Sequence, residues 1–244
     1  MHFSQQGAGR PVLVLHGGGG PATVSGLVEN LAKTRRVLAA TLPGWNATPR
    51  PAELTSVAAY ADAYAAYLVE QGLTDVTVIG SSVGGWIAAE LALRDPERRI
   101  SGLVIINGAG IEVAEHPITN ISGFTPPQLA KVAYHDPSKF GAGMPPPTAE
   151  LLTARRANEQ TLLAIAGEPY MCDPTLRARL VEVRTPTLVL WGESDRVMTA
   201  DYGRAYAAAI PGAAFELVPE AGHLPQLERP AETFRRIEAF LAGI

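Results

Sequence analysis

The feature that most constrains the fold is the alternation of short apolar runs with longer segments of helical periodicity. The runs are rich in Val, Ile and Leu and are bounded by Gly or Pro, as expected for strands buried on both faces. They are Val12–His16, Val37–Leu42, Val76–Ile79, Leu103–Ile106, Thr187–Trp191 and Phe215–Val218. The alternation predicts an α/β fold in which helices on both faces cover a mostly parallel central sheet.

The alternation is interrupted between residues 110 and 184, where no apolar run has the character of a strand. Helix-start signals take its place, and Thr125 with Gln128 has the form of a capping box. We therefore predict one core domain formed by residues 1–109 and 185–244, with residues 110–184 inserted as a helical cap. In the core, the helix from Val57 onwards is predicted to have Thr55 as its N-cap.

The composition is that of a globular enzyme. The chain has 244 residues, of which 47% are hydrophobic and 18% charged, and this balance excludes a disordered chain. A net charge of -4 without a basic stripe argues against a nucleic-acid partner. No apolar run approaches the roughly 20 residues of a membrane helix, and the N-terminus lacks the pattern of a signal peptide. We expect a cytoplasmic protein without a membrane partner, whose single cysteine, Cys172, forms no intrachain disulfide.

The motif with the most chemical content is G-x-S-x-G at residues 80–84, which follows one predicted strand and opens a helical segment. In that context a sharp turn presents the serine in a strained backbone conformation, and the glycines let the strand before the turn and the helix after it pass closely. The helix N-terminus then directs N–H groups and its positive dipole end at the reacting oxygen. The motif predicts Ser82 as a nucleophile. Ser81 is the competing serine, and a junction that merely happens to hold serines and glycines is the alternative.

A serine nucleophile needs a base in contact with it. Among the five histidines, His223 follows the last predicted strand, at the carboxyl edge where open α/β sheets keep their sites. Asp195 follows the preceding strand, and the chain order Ser, Asp, His is the one that this strand–turn–helix motif uses. We therefore predict that Asp195 orients His223, with Glu193 and Asp201 as rival carboxylates.

Four glycines follow His16 at the end of the first predicted strand. Acyl transfer needs two donors aimed at the developing oxyanion, and a glycine backbone approaches a substrate without side-chain interference. We predict the N–H groups of Val83 and Gly18 as these donors, with Gly19 as the next choice. A phosphate loop is the alternative, but no G-K-[ST] follows. We expect neither a metal nor a cofactor.

Four runs of the sequence together resemble enzymes of the α/β-hydrolase fold with a small helical cap. The runs are VLHGGGG, VIGSSVGGWIAAELAL, LVLWGESDRV and EAGHLPQLERPAETFRRIEAFL. The resemblance covers nearly the whole chain outside the cap and implies a serine hydrolase with Ser82, Asp195 and His223 as its triad. It also implies that Trp45 lies near the site. The segment before Val12 is shorter than is common in this family, so the first antiparallel strands are expected to be reduced or absent.

These features favour a hydrolase that cleaves a carboxylic ester, or a related acyl bond, of a small apolar substrate through an acyl-enzyme. Two alternatives stay open: a carbon–carbon bond hydrolase of diketone-like substrates, and a non-catalytic small-molecule binding member of the fold. The cap is expected to set the choice of substrate, while the oligomeric state is left open. The predicted substrate contacts are Gly19, Trp45, Phe124, Met144 and Tyr170.

Overall fold

The computed structural model describes residues 1–139 and 148–244, and these contain a seven-stranded sheet. The strands are β1 (His2–Gln6), β2 (Pro11–Leu15), β3 (Arg36–Thr41), β4 (Val76–Ser81), β5 (Ile100–Ile106), β6 (Thr187–Gly192) and β7 (Ala214–Val218). Their order across the sheet is β1-β3-β2-β4-β5-β6-β7, and each neighbouring pair except β1 with β3 is parallel. All six apolar runs form strands, which confirms the mostly parallel sheet.

An antiparallel edge strand, β1, precedes the six predicted strands. It pairs with β3 from His2 opposite Thr41 to Gln6 opposite Val37, so the antiparallel part is reduced to one strand and is not absent. Phe3 is the only large apolar residue of β1, and its ring stacks on Tyr67 at 4.5 Å between centroids. A strand with one apolar side chain carries almost no sequence signal, because its remaining residues face solvent.

Nine α-helices within the described residues pack around the sheet. They are α1 (Ser25–Leu31), α2 (Val57–Glu70), α3 (Val83–Ala92), α4 (Pro126–Ala133), α5 (Ala149–Ala166), α6 (Leu176–Arg179), α7 (Ala200–Ala209), α8 (Pro225–Glu228) and α9 (Pro230–Leu241). Alternate side chains of β2 enter different cores: Leu13 and Leu15 pack with α2, α3 and α7, whereas Val12 and Val14 pack with α1 and α9. Helices therefore cover both faces of the sheet, as predicted.

The N-cap of α2 is Ser56, so the prediction that Thr55 caps this helix is wrong. The Ser56 side chain accepts a hydrogen bond from Ala59 N at 3.2 Å. Both residue types can cap a helix. Ser56 takes the N-cap position because its backbone is extended, with φ -150° and ψ 162°, and the next residue, Val57, is the first of the helix.

The insertion between β5 and β6 contains α4, α5 and α6, which agrees with the predicted helical insertion. Helix α4 begins at the predicted capping box, where Gln128 Oε1 accepts a hydrogen bond from Thr125 N at 2.9 Å. Division of the chain at residues 110 and 184 stays a prediction.

A buried ion-pair cluster ties the end of this insertion to α3. Glu90 is 1% exposed, and its carboxylate accepts hydrogen bonds from Arg179 at 2.6 and 2.9 Å and from Arg94. Burial raises the pKa of Glu90, but the hydrogen bonds from Arg179 and Arg94 outweigh burial and hold the pKa below its ordinary value. Since Arg179 belongs to α6, the cluster fixes the return of the chain to β6.

His16 links the loop after β2 to the end of β3. Its ring has no exposed surface. Nδ1 lies 2.7 Å from Gly17 O, and Nε2 accepts a hydrogen bond from Leu42 N at 3.0 Å. These two partners fit the neutral ring with the proton on Nδ1. Burial lowers the pKa of His16 to about 4, against the opposing effect of the hydrogen bond to Gly17.

We predict that His16 makes the fold less stable as the pH falls from 6.5 towards about 4. In this window the unfolded chain, where His16 keeps its ordinary pKa, binds a proton that the folded chain excludes. The free energy of unfolding then falls by up to about 1.4 kcal/mol per pH unit from this group alone. Urea unfolding of the wild type and of His16→Gln across the window measures the effect. The variant should give the flatter dependence, and equal slopes would contradict a buried neutral His16.

Candidate active site

Ser82 lies at the turn between β4 and α3. Its backbone has φ 56° and ψ -119°, a conformation that few residues other than glycine adopt. The turn is possible because a Cβ on Gly80 would lie 2.1 Å from Gly84 O, and a Cβ on Gly84 would lie 2.3 Å from Leu15 O. The two glycines therefore allow strand and helix backbones to approach to a distance that a side chain would prevent.

A hydrogen-bonded line of three side chains starts at this turn. Ser82 Oγ lies 3.1 Å from His223 Nε2, and His223 Nδ1 lies 2.8 Å from Asp195 Oδ2. The exposed fractions are 9% for Ser82, 8% for His223 and 3% for Asp195. With the imidazole proton on Nδ1, directed at the carboxylate, the Nε2 lone pair is free to accept the Ser82 proton.

The Asp195 carboxylate is held by further donors. Val197 N and Met198 N donate to Oδ1 at 2.8 and 3.1 Å, and Asn107 Nδ2 donates to Oδ2 at 2.6 Å. Asn107 has no exposed surface, and its own Oδ1 accepts a hydrogen bond from Gly192 N at 3.1 Å. Counting the histidine, Asp195 accepts from four groups, which suits an ionised carboxylate because it offers only acceptors.

Asn107 did not emerge from the sequence analysis. The available signal was its place directly after β5, at the same carboxyl edge as the other site residues. The rival groups lie elsewhere: Glu193 and Asp201 are exposed at the surface. Ser81 is 1% exposed, and its Oγ lies 3.4 Å from Gln226 Nε2.

The C-terminal end of α4 braces the loops that carry His223 and Asp195. Ala133 O accepts a hydrogen bond from His223 N at 2.7 Å, and Val132 O accepts one from Arg196 N at 3.0 Å. The Arg196 side chain also donates to Lys131 O at 3.0 Å. Backbone carbonyls of the inserted helix therefore fix the positions of both loops.

The glycine-rich loop after β2 lies against Ser82. A Cβ on Gly17 would lie 3.0 Å from the Ser82 Cβ. The next residue, Gly18, is half-buried, and its carbonyl oxygen accepts a hydrogen bond from Trp45 Nε1 at 3.0 Å. Val83 N is the first N–H of α3, a position where helices leave N–H groups without an intrahelical acceptor. Of the two predicted oxyanion donors, Val83 follows Ser82 directly in the chain, and Gly18 follows the glycine that packs on Ser82.

Trp45 and Gly19, both predicted to contact the substrate, differ in exposure. Gly19 is exposed in the glycine-rich loop. Trp45 has no exposed surface, and its indole N–H is used by Gly18 O. This burial indicates that Trp45 holds the glycine-rich loop in place. It argues against the direct contact with the substrate that was predicted for Trp45.

The remaining predicted contacts lie in the insertion. Phe124 and Tyr170 are half-buried. Tyr170 Oη accepts a hydrogen bond from Ile121 N at 3.2 Å, and burial raises the pKa of this phenol. Met144 lies outside the described residues, and so do the contacts that it makes.

Helix α5 contacts the glycine-rich loop and the loop after β3. Asn158 is 4% exposed and forms an amide pair with Asn46: its Oδ1 accepts from Asn46 N at 2.9 Å, and its Nδ2 donates to Asn46 Oδ1 at 3.2 Å. Thr161 Oγ1 donates to Gly44 O at 3.2 Å. No sequence pattern indicated these contacts, because an Asn or Thr in a polar helix is an ordinary surface residue.

Over residues 1–139 and 148–244, no group of three or more His, Cys, Asp or Glu side chains is placed to hold a metal ion. Over the same residues, no helix combines the length and apolar character needed to cross a membrane. Cys172 is a free, half-buried thiol whose pKa burial raises.

Known proteins resemble this chain over almost its whole length. The 2-hydroxymuconate semialdehyde hydrolase of Pseudomonas putida is 28% identical, over 99% of this chain and 90% of that protein. A thermophilic esterase from Thermogutta terrifontis is 24% identical with a TM-score of 0.79, over 99% of this chain and 93% of that one. A meta-cleavage product hydrolase from Pseudomonas fluorescens is 20% identical with a TM-score of 0.80, over 99% and 94%. The esterase and the meta-cleavage product hydrolase both have the fold of this chain.

The model of the alpha/beta hydrolase family matches residues 12–236, which include β2 from its second residue, β3 to β7 and every residue of the hydrogen-bonded line. The match also spans the insertion that carries α4, α5 and α6. The chain therefore belongs to the alpha/beta hydrolase family.

Proposed function

We propose that this hydrolase cleaves carboxylic esters of small apolar acids through an acyl-enzyme formed on Ser82. The observation that carries the proposal is the line of Ser82, His223 and Asp195, with Gly17 of the glycine-rich loop packed on the serine. A protein that only binds a small molecule needs no base aligned on a strained serine, so this geometry argues against a non-catalytic role.

In the acylation step, Ser82 Oγ attacks the ester carbonyl carbon and passes its proton to His223 Nε2. Negative charge develops on the carbonyl oxygen, where the N–H groups of Val83 and Gly18 stabilise it. Asp195 stabilises the imidazolium and keeps its orientation. The carbon–oxygen bond of the ester then breaks, and the leaving alkoxide takes the proton from His223 Nε2.

In the deacylation step, water attacks the acyl carbon and gives its proton to His223. Collapse of the second tetrahedral intermediate breaks the bond to Ser82, whose oxygen recovers the proton from Nε2. The carboxylic acid is released and the free enzyme is restored. Every proton transfer uses the same nitrogen, so the brace that α4 provides for His223 serves both steps.

The face of α5 next to the glycine-rich loop favours an uncharged acyl group. It presents Asn158, Thr161 and Leu162 to the loops, and all three side chains are neutral. Since a substrate carboxylate in this position would be desolvated without a cationic partner, an apolar acyl group fits better.

A second candidate is the hydrolysis of a carbon–carbon bond in an acidic, diketone-like substrate. Its support is the relative from Pseudomonas putida and one observation on α5. Burial and Glu228 raise the pKa of Tyr134, while the charge of Arg155 opposes them. Tyr134 follows Ala133, whose carbonyl holds His223. Arg155, an exposed residue of α5, therefore lies within electrostatic range of Tyr134, and its charge would favour a substrate carboxylate on that side.

Replacing the nucleophile gives the first test. Ser82→Ala should lower turnover by on the order of a thousandfold or more, because the acyl-enzyme cannot form. The fold should survive, since one hydroxyl is lost and alanine keeps the Cβ. Steady-state hydrolysis and thermal unfolding are measured together, with Ser81→Ala as the matched control. Near wild-type turnover in Ser82→Ala would assign the nucleophile to another residue.

The acid is tested by a change that preserves shape. Asp195→Asn should favour the wrong histidine tautomer and lower turnover by on the order of ten-thousandfold, as in the triad of another fold. The matched variant Glu193→Gln should act like the wild type, because Glu193 is exposed. A loss below about tenfold in Asp195→Asn, with a severe loss in Glu193→Gln, would reverse the assignment.

Reaction class is tested with two kinds of substrate. We expect short-chain p-nitrophenyl esters to be cleaved faster than a vinylogous diketone acid, with a burst of p-nitrophenol at high enzyme concentration. Arg155→Gln provides the discriminating control, since it should leave ester cleavage unchanged. Rapid cleavage of the diketone acid alone, reduced in Arg155→Gln, would favour the second candidate.

A further inference from the structure

We propose that Leu162 limits the length of the acyl group that this site accepts, and that Asn46 and Asn158 are positioning residues for Leu162. The inference rests on the ester hydrolysis proposed above and deepens it by assigning substrate selection to one face of α5.

The contact that carries the inference joins α5 to the glycine-rich loop. A Cβ on Gly18 would lie 3.0 Å from Cδ2 of Leu162, so the leucine methyl group is packed directly on this glycine. Gly18 supplies one of the N–H groups proposed to bind the carbonyl oxygen. A group attached to the carbonyl carbon on this side therefore meets the Leu162 side chain, which is half-buried and packs on the core.

The group on this side is the acyl chain and not the alcohol. The leaving alkoxide must take its proton from His223 Nε2, so the alcohol lies on the histidine side of the site. That side is braced by α4 through Ala133 O. Leu162 lies on α5, against the glycine-rich loop. The acyl chain, which does not exchange a proton with His223, is left on the Leu162 side.

The amide pair of Asn46 and Asn158 fixes the position of Leu162. Asn158 precedes Leu162 by four residues, so both side chains lie on the same face of α5. A Cβ on Gly20 would lie 3.2 Å from Asn46 Oδ1 and 3.4 Å from Asn158 Nδ2, so the pair is packed against the glycine-rich loop. The two hydrogen bonds of this pair hold α5 at a fixed distance from the glycine-rich loop. That distance sets the room for an acyl chain between Leu162 and the loop.

The experiment compares two series of esters. In the acyl series, p-nitrophenyl esters run from acetate to octanoate with a constant leaving group. In the alcohol series, acetate esters carry alcohols of increasing length. For each enzyme, kcat/KM is measured across both series, and the ratio of the octanoate value to the acetate value reports acyl-length selection.

Leu162→Ala should raise the octanoate-to-acetate ratio by about tenfold or more, since even one methylene in an apolar pocket changes kcat/KM by about that factor. The alcohol series should keep its profile. The matched control is Leu163→Ala, because Leu163 is the next residue of α5 and is 37% exposed. A ratio in Leu162→Ala within twofold of the wild type overturns the inference, as does relaxation of the alcohol series alone. A wild type that cleaves no ester overturns the proposed function as well.

The positioning role is tested by Asn158→Leu, which keeps the side-chain size and breaks the amide pair. It should raise the octanoate-to-acetate ratio, and it should add nothing in the Leu162→Ala background, because it acts through Leu162. Asn158→Asp, which keeps the acceptor for Asn46 N but loses the donor to Asn46 Oδ1, should give a ratio between those of Asn158→Leu and the wild type. A merely structural role would lower the melting temperature and leave the ratio unchanged, and that result overturns the positioning role.

If Asn158→Leu does not fold, Asn46→Gly replaces it. This variant removes the other side chain of the pair and tolerates the positive φ of 50° at that position. It is expected to raise the octanoate-to-acetate ratio as well. An unchanged ratio in a folded Asn46→Gly protein overturns the positioning role.

Discussion

The strained backbone of Ser82 is the constraint on which the rest of the site depends. A residue other than glycine at φ 56° costs on the order of 1–3 kcal/mol, and it persists only where its surroundings determine it. Those surroundings are Gly80 and Gly84, which let the strand and helix pass closely, and Ile106 O, which accepts the Ser82 N–H at 3.0 Å. The buried parallel sheet thus maintains a conformation that the local chain would not adopt alone.

The parallel sheet also explains why the other groups meet this serine. Each strand from β2 to β7, apart from β3, is followed at its carboxyl edge by at least one residue of the candidate site. In sheet order these are Gly18, Ser82, Asn107, Asp195 and His223. Four of them could be predicted from sequence, because their residue types match a known chemical role and each follows a recognisable apolar strand. Asn107 could not, since an asparagine after a strand is by default a turn residue.

The contacts made by the insertion lie beyond sequence reasoning for physical reasons. Asn46 and Asn158 are 112 residues apart, and neither amide has an unusual local context. The brace from Ala133 to His223 is a hydrogen bond between two backbone groups, so it does not depend on residue type and leaves no pattern in the sequence. The same holds for β1, whose pairing with β3 depends on backbone hydrogen bonds and leaves Phe3 as its one apolar marker.

The insertion acts on the two sides of the site through different kinds of contact. Helix α4 holds His223 through the carbonyl of Ala133, a bond that is indifferent to the side chain at that position. Helix α5 reaches the glycine-rich loop through side chains, with Leu162 on Gly18. Sequence changes in α5 are therefore expected to alter the space around a substrate, while a backbone contact preserves the position of His223. Because the brace and the proposed acyl-selecting face belong to separate helices, we expect specificity to change without displacement of His223.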